Sequence, residues 1–446
     1  MPPLGYALTF IIFFVFLLIA IIVGALGPNV YNSIDLNAWG AACRGKDFFD
    51  ELDCEGVDMS DSSAVWTGVV SNLDRLNQEL SLYARLTNGR YQDAGLTKTI
   101  TISLTVSGKN NGDTNWTTIV NADTHERTVV CSEGSYICEP LGLATMVFIG
   151  FSQYEFNVTM LTPTPNLRDV YFSFSFVNRD YTLFELWFRY VFLFFTVGAV
   201  IAYSVMLRRH NWDSWTLEQK WALVLLYALM GYNNPIYPIE ILVPGSAPVF
   251  INRLLYATFL VLIFLFWLII FDGVRQETSD QSFVTFYLPK VILLGIFWIC
   301  GIAVFVWNHF HLSENPAFTT TQDLYGFKAF LGIEIVIMII YTLWMVIVVA
   351  RSVSDAQILP YLSARIRFFL GFTISIIIAL IIAIVFGFAF SQNNAAEFLV
   401  YIALLNLYIY VLAFVYLPNS PPDHSDSDAS SADRIGMVRL EEDDNI

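Results

Sequence analysis

At 446 residues, 56% hydrophobic and only 14% charged, the chain is too apolar for a soluble globular protein and reads as a polytopic membrane protein. Its net charge of −16 is unevenly placed: residues 28–183 hold 19 acidic and 10 basic side chains, and residues 418–446 hold 8 and 2. Two acidic segments and no basic stripe exclude nucleic acid, whose phosphates they would repel.

The first element is an uninterrupted apolar run, Tyr6 to Leu26. It exceeds the roughly 7 to 15 residues of a signal-peptide core and lacks the basic segment such peptides begin with. Residues 1–27 are therefore expected to form a retained signal anchor, with cleavage near Ala25 or Gly27 as the alternative. From Asn29 to Arg179 the pattern changes to period two. Thr99 to Val106 alternates, and Tyr171 to Val177 does so strictly, placing Phe172, Phe174 and Phe176 on one face. Further short strands are expected at 117–120, 128–130, 144–151 and 154–160, with Gly or Asn turns between them, so residues 28–183 read as a compact β-sandwich. Val65 to Leu86 is ambiguous: Leu73, Leu76, Leu80 and Tyr83 recur at helical spacing, yet a strand pair also fits.

Cys43, Cys54, Cys131 and Cys138 fall in this segment, together with two glycosylation acceptors, Asn115-Trp-Thr117 and Asn157-Val-Thr159. An even cysteine count beside acceptor sites places the sandwich in the lumen or outside the cell. Pairing Cys43 with Cys54 and Cys131 with Cys138 is one of three connectivities that four cysteines allow, and the one expected. The acidic run from Asp47 to Asp61 lacks EF-hand spacing and reads as a solvated face.

Seven apolar runs follow, over 184–207, 221–243, 254–271, 291–307, 327–350, 368–390 and 398–417. Each is long enough, or nearly so, to span a bilayer. The loops after the first, third and fifth carry Arg208, Arg209, Lys220, Arg275, Lys290, Arg351, Arg365 and Arg367, whereas the alternate short loops carry only Arg253 and Lys328. The positive-inside rule then makes the first set cytosolic, the sandwich lumenal and both termini cytosolic. The fold class is an α-helical polytopic membrane protein: an anchor over 1–27, a sandwich over 28–183, a seven-helix bundle over 184–417 and a disordered acidic tail over 418–446. In the tail, Ser425-Asp-Ser427-Asp and Glu441 to Asp444 offer phosphorylation or recognition by cytosolic sorting adaptors, against a plain solubilising role.

The second run of the bundle is broken from inside. Pro235 and Pro238 cannot donate backbone hydrogen bonds and clash with the preceding turn, so the helix must kink or unwind. Counted from Trp221 at ~1.5 Å per residue, the break lies roughly 15 to 21 Å into a hydrocarbon layer about 30 Å thick. Irregular backbone at that depth must be enclosed by protein or line a water-filled cavity. Asn233 and Asn234 thus either satisfy freed carbonyls or line a ligand cavity. Glu334 and Asn406 fall at a similar depth, so the candidate cavity comprises Asn233, Asn234, Pro235, Pro238, Glu334 and Asn406. Ala403, Asn406, Tyr410 and Ala413 share a face of the last helix, which favours an interior position for Asn406. Glu185 and Arg189 form an i, i+4 pair at the lumenal mouth and read as an anchor. Thr216-Leu-Glu-Gln219 has capping-box spacing before the broken run, with Trp212, Trp215 and Trp221 suited to the headgroup level.

Catalysis has little support. The five histidines are dispersed apart from His309 and His311, and no G-x-S-x-G elbow, paired-carboxylate motif or Walker loop is present. The chain is expected to be no enzyme and to need no cofactor or metal.

Trp187-Phe-Arg189, Trp215-Thr-Leu-Glu-Gln-Lys-Trp221, Asn233-Asn-Pro235 with Pro238, Phe286-Tyr-Leu-Pro-Lys290, Asn394-Ala-Ala-Glu-Phe398, Leu405-Asn-Leu-Tyr and Leu412-Ala-Phe-Val-Tyr416 occur in one order. On these segments the bundle resembles the Wntless-like transmembrane domain, most closely that of the transmembrane protein 181 family, and the position and strands of residues 28–183 suit the GOLD-like sandwich of that group. The resemblance implies a seven-helix bundle with a membrane-open cavity, in the Golgi and endosomal system or the plasma membrane. In Wntless such a cavity accepts lipidated Wnt. It therefore implies a trafficking receptor or escort with membrane lipid and a secreted or lipidated protein cargo as partners. A GPCR-like signalling receptor and a structural membrane protein without ligand are the alternatives.

Overall fold

The computed structural model describes residues 3–40, 65–88, 96–133, 135, 137–162, 167–273, 283–318, 325–358, 364–389 and 393–417. Cys43, Cys54, the acidic run from Asp47 to Asp61 and the tail from residue 418 lie outside them.

Period-two patterning builds two four-stranded antiparallel sheets. One has the order β1 (Tyr31–Gly40), β8 (Leu167–Val177), β3 (Leu80–Asn88), β6 (Leu141–Met146); the other is β2 (Val65–Ser71), β7 (Gln153–Met160), β4 (Leu96–Lys109), β5 (Thr117–Cys131). Alternate residues of β2 and β7 are buried, so each strand has one inner face. The core lies between the sheets: Trp66 of β2 stacks on Phe172 of β8 with centroids 3.9 Å apart, and Phe156 of β7 meets Phe174 at 5.0 Å. Phe172 and Phe174 are fully buried, with Phe176 packed at their edge.

Of the two readings open for Val65 to Leu86, the structure takes the strands and not the helix. The segment makes two strands in opposite sheets, joined through a 3-10 turn at Arg75–Asn77. Leu80, Leu82, Ala84 and Leu86 are all buried, a spacing of two that only a strand provides. The misleading spacing comes from the turn, which Asp74 caps by accepting from Leu76 N at 2.9 Å while Asn77 Oδ1 accepts from Asp74 N at 2.8 Å. The separate strands expected at 117–120 and 128–130 are parts of one long, bulged β5. The strand expected over 144–151 ends at Met146. Cys131 and Cys138 are disulfide-bonded, tying the end of β5 to the segment before β6.

The helices are α1 (Pro3–Ala25), α2 (Arg179–Leu207), α3 (Leu217–Tyr232), α4 (Tyr237–Leu242), α5 (Ser246–Gly273), α6 (Leu288–Glu314), α7 (Tyr325–Ile358), α8 (Ala364–Ala389) and α9 (Ala396–Val415). Among the described residues, six of them (α1, α2, α5, α6, α7 and α9) are long and apolar enough to cross a membrane. The broken pair α3 and α4, and α8, apolar over Arg367–Ile382, complete the predicted spans. Helix α9 is apolar on nearly every side and is the most buried of the six long spans, which makes it the central helix. It is surrounded by α1, α2, α3 and α8. Helix α1 approaches it closely: a Cβ on Gly24 would stand 2.6 Å from Ala396 Cα, and one on Gly27 2.9 Å from Ala395 Cβ. Phe13 of α1 also meets Phe372 of α8 edge-on at 5.0 Å.

Only Asn178 separates β8 from α2, and its side chain caps the helix by accepting from Asp180 N at 3.1 Å. The sandwich is therefore held directly over one end of the bundle, and the connections at that end touch it in turn. Arg75 Nη1 donates to Leu242 O at 2.6 Å, Thr145 N to Pro316 O at 2.7 Å, and Tyr31 N to Asn393 Oδ1 at 2.6 Å. Ala317 is buried in the sandwich core cluster, and Arg127 donates to its carbonyl.

Candidate functional site

The break predicted at Pro235 is present. Helix α3 ends at Tyr232, Asn234 takes a left-handed conformation (φ 51°), and α4 begins with a proline in its first turn. The freed groups find local partners. Asn234 N donates to Gly231 O at 2.9 Å, Asn234 Oδ1 accepts from Ile236 N at 3.1 Å, and Tyr190 Oη donates to Pro235 O at 3.2 Å. The capping box at Thr216 and Gln219 starts α3 as expected.

Asn233 turns into the bundle and meets Asn406 of α9 in a reciprocal amide pair. Asn233 Nδ2 donates to Asn406 Oδ1 at 2.8 Å, and Asn406 Nδ2 returns a bond to Asn233 Oδ1 at 2.9 Å. Asn233 Nδ2 also donates to Thr196 Oγ1 at 2.9 Å, and Tyr410 Oη lies 2.7 Å from that hydroxyl. This buried network pins α2, α3 and α9 together. It corrects the cavity expected from depth: the amides fill that space with each other. Glu334 is elsewhere, half-buried on α7, where its Oε1 would stand 3.6 Å from a Cβ on Gly301 of α6. Helix α7 packs against α5 and α6, so equal depth did not mean a shared face. Pro235 is exposed and Pro238 half-buried at the start of α4. None of the six expected residues lines the cavity found between the sandwich and the bundle.

That cavity lies nearer the sandwich, between it and the bundle, with a volume of about 530 Å³. Its floor is the Glu185–Arg189 pair. Arg189 Nε and Nη2 donate to Glu185 Oε1 at 2.9 and 2.7 Å, Tyr237 Oη donates to Glu185 Oε2 at 2.7 Å, and the guanidinium lies 4.7 Å over the Tyr237 ring. Gln78 of the sandwich reaches down to Tyr237 Oη at 3.1 Å and Thr182 Oγ1 at 2.9 Å, joining the two domains through this pair. Glu79, Glu240 and Arg253 also line the space. Burial holds the Glu79 carboxyl above the usual carboxylate range, and Ser81 Oγ donates to it at 3.2 Å. One oxygen of Glu240, Oε2, is buried without a hydrogen-bond partner. Beside the cavity, sharing Ser246, Phe305 and His309 with it, is an apolar slot of about 230 Å³ between α5 and α6, completed by Ala247, Phe250, Val306 and Phe310.

Sequence reasoning singled out Glu185 and Arg189 but missed Gln78, Glu79, Tyr237, Glu240 and Tyr256. The available signal was a charge inside an apolar run, Glu240, four residues from Ile236 in the broken helix.

A two-sheet sandwich held over a bundle of apolar helices, with a cavity at their junction, defines a polytopic membrane protein with a GOLD-type extramembrane domain. The Wntless-like transmembrane domain model matches residues 178–420, and the model of the TMEM181 GOLD domain matches residues 69–176. The chain belongs to the Wntless-like transmembrane family. It is similar to human Transmembrane protein 181, at 25% identity over 429 residues, covering 93% of this chain and 86% of that protein.

Proposed function

We propose that this protein is a trafficking receptor or escort that holds a secreted partner in the cavity between sandwich and bundle, with a lipid-bearing part of that partner in the slot between α5 and α6. The supporting observation is the joint construction of the cavity. Tyr31, Gln78 and Glu79 come from the sandwich, while Glu185, Tyr237 and Arg253 come from the bundle, and an apolar slot adjoins the polar space. Polar groups that orient a ligand beside an apolar wall are what binding sites need. The reading is of a binding protein rather than an enzyme, working in the secretory route or at the cell surface. In this reading the sandwich is lumenal and both termini are cytosolic, because the basic residues concentrate at the opposite end of the bundle.

Ser246 borders both spaces and is exposed, so Ser246→Trp fills their junction without touching the core. The test is immunoprecipitation of the full chain from cells labelled with an alkynyl fatty acid, followed by mass spectrometry. Wild type is expected to recover a labelled secreted protein that Ser246→Trp loses while reaching the same compartment. Equal recovery by the variant, or recovery of biosynthetic chaperones alone, would overturn the proposal.

A further inference from the structure

The cavity contains three cations and three carboxylates, but they are not equally engaged. Arg189 is held by both bonds to Glu185 Oε1, Arg75 donates to the carbonyl of Leu242, and Arg253 lies 5.2 Å over the Phe305 ring. Glu185 accepts from Arg189 and from Tyr237. Glu79 and Glu240 differ. Among the described residues neither enters an ion pair: Glu79 accepts from the neutral hydroxyl of Ser81, and Glu240, which accepts from the Asn252 side chain and feels the charges of Arg253 and Arg189, keeps its Oε2 buried with nothing to accept from.

A half-buried carboxyl with only a neutral donor, Glu79, and a buried carboxylate oxygen with no donor, Glu240 Oε2, are expensive even with Arg253 near enough to Glu240 to favour its charge, and a ligand cation that reaches both recovers part of that energy. The surrounding lining is suited to it, since Tyr31, Phe148 and Tyr256 present aromatic rings, and the face of such a ring attracts a cation. An anion would instead face carboxylates with open lone pairs, and two of the three guanidinium groups, those of Arg189 and Arg75, already donate to other acceptors. We infer that the cavity binds a cationic group, the ammonium or guanidinium of a basic side chain on the protein partner, between Glu79 and Glu240. A side chain is favoured over a lipid headgroup because Glu79 and Tyr31 belong to the sandwich, outside the membrane-spanning helices. The inference deepens the proposed function and rests on the same cavity.

The probe is L-arginine amide, with L-citrulline amide as its uncharged counterpart at the side chain, titrated by calorimetry into the full-length protein in phosphatidylcholine nanodiscs. Arginine amide is expected to bind about tenfold or more tighter than citrulline amide. Glu240→Gln and Glu79→Gln should each remove most of that difference, because glutamine keeps shape and hydrogen bonding but no charge. Glu155→Gln, on β7 away from the cavity, should leave it unchanged. Equal binding of the two amides, or wild-type preference in both cavity variants, would overturn the inference. Should either variant fail to fold, the ratio for wild type still decides. Loss of arginine amide binding on replacing phosphatidylcholine with phosphatidylethanolamine would overturn the assignment to a side chain by giving the site to a headgroup. The two proposals fail separately. If the amides bind equally while Ser246→Trp still loses the partner, the escort reading stands without this one. If arginine amide is preferred but no partner depends on Ser246, the reverse holds.

Discussion

Asn233 and Asn406 show how one pair of side chains converts a break in a helix into a join between helices. Each amide has its oxygen and its nitrogen engaged, at 2.8 and 2.9 Å, in a place where water is excluded. Removing one partner leaves the other buried and unsatisfied, which typically costs about 1–3 kcal/mol, whereas an interhelical hydrogen bond in a membrane protein contributes only ~0.6 on average. Asn233→Leu and Asn406→Leu are therefore each expected to lower stability by about 1–3 kcal/mol, and the double variant by clearly less than their sum. Thermal unfolding of the four proteins in one detergent checks this. Additive losses would mean that the two amides are not coupled. Neither residue lines the cavity, so the citrulline and arginine amide ratio of the folded single variants should match wild type.

At the scale of elements, what was legible followed from local repetition. β4, β7 and β8 were readable because their alternation is strict, the spans because of their length, and the end of α3 because of Pro235. The cavity was not legible, because its walls join residues far apart in the chain: Gln78 meets Tyr237 across 159 positions, and no periodicity records such a meeting. Depth proved a poor guide, since it grouped Glu334 with Asn406 while the helix that carries Glu334 packs chiefly against α5 and α6 and Asn406 bonds to α2 and the end of α3. Nor did composition reveal that α1 is a packed member of the bundle rather than a bare anchor. Its Gly24 lies where any side chain would strike the backbone of α9. Gly24→Leu must push the helices apart, and overpacking of this kind costs about 1–3 kcal/mol. Gly198→Leu is the control, because nothing lies within 4 Å of a Cβ there. The midpoint of unfolding in detergent is expected to fall for Gly24→Leu and to hold for Gly198→Leu. An unchanged midpoint for both would show that α1 and α9 do not touch as described.

The whole molecule is organised by one alternation. The ends of α4, α6 and α8 return to the sandwich, through the contacts of Leu242, Pro316 and Asn393, so the intervening connections lie at the opposite end. There Lys290 is buried over the Phe286 ring at 3.3 Å and paired with Asp272 at 2.6 Å, and Lys220 lies 5.2 Å over Trp212. In the proposed orientation the bias of basic residues makes that end cytosolic, and fixing the side of any one loop fixes the side of all. Asn115 is exposed in the connection between β4 and β5. Asn157, on β7, accepts from Thr67 Oγ1 at 2.7 Å through Oδ1, which leaves Nδ2, the atom that carries a glycan, free of that bond. Both sites are therefore expected to be glycosylated. Peptide N-glycosidase should increase the mobility of the protein by two steps, Asn115→Gln and Asn157→Gln should each remove one step, and the double variant should show none. In sealed microsomes a tag placed after Ile446 should be digested by added protease while the sandwich is protected. An unglycosylated protein with a protected tag would invert the orientation, and with it would place the cavity on the cytosolic side, out of reach of any secreted partner.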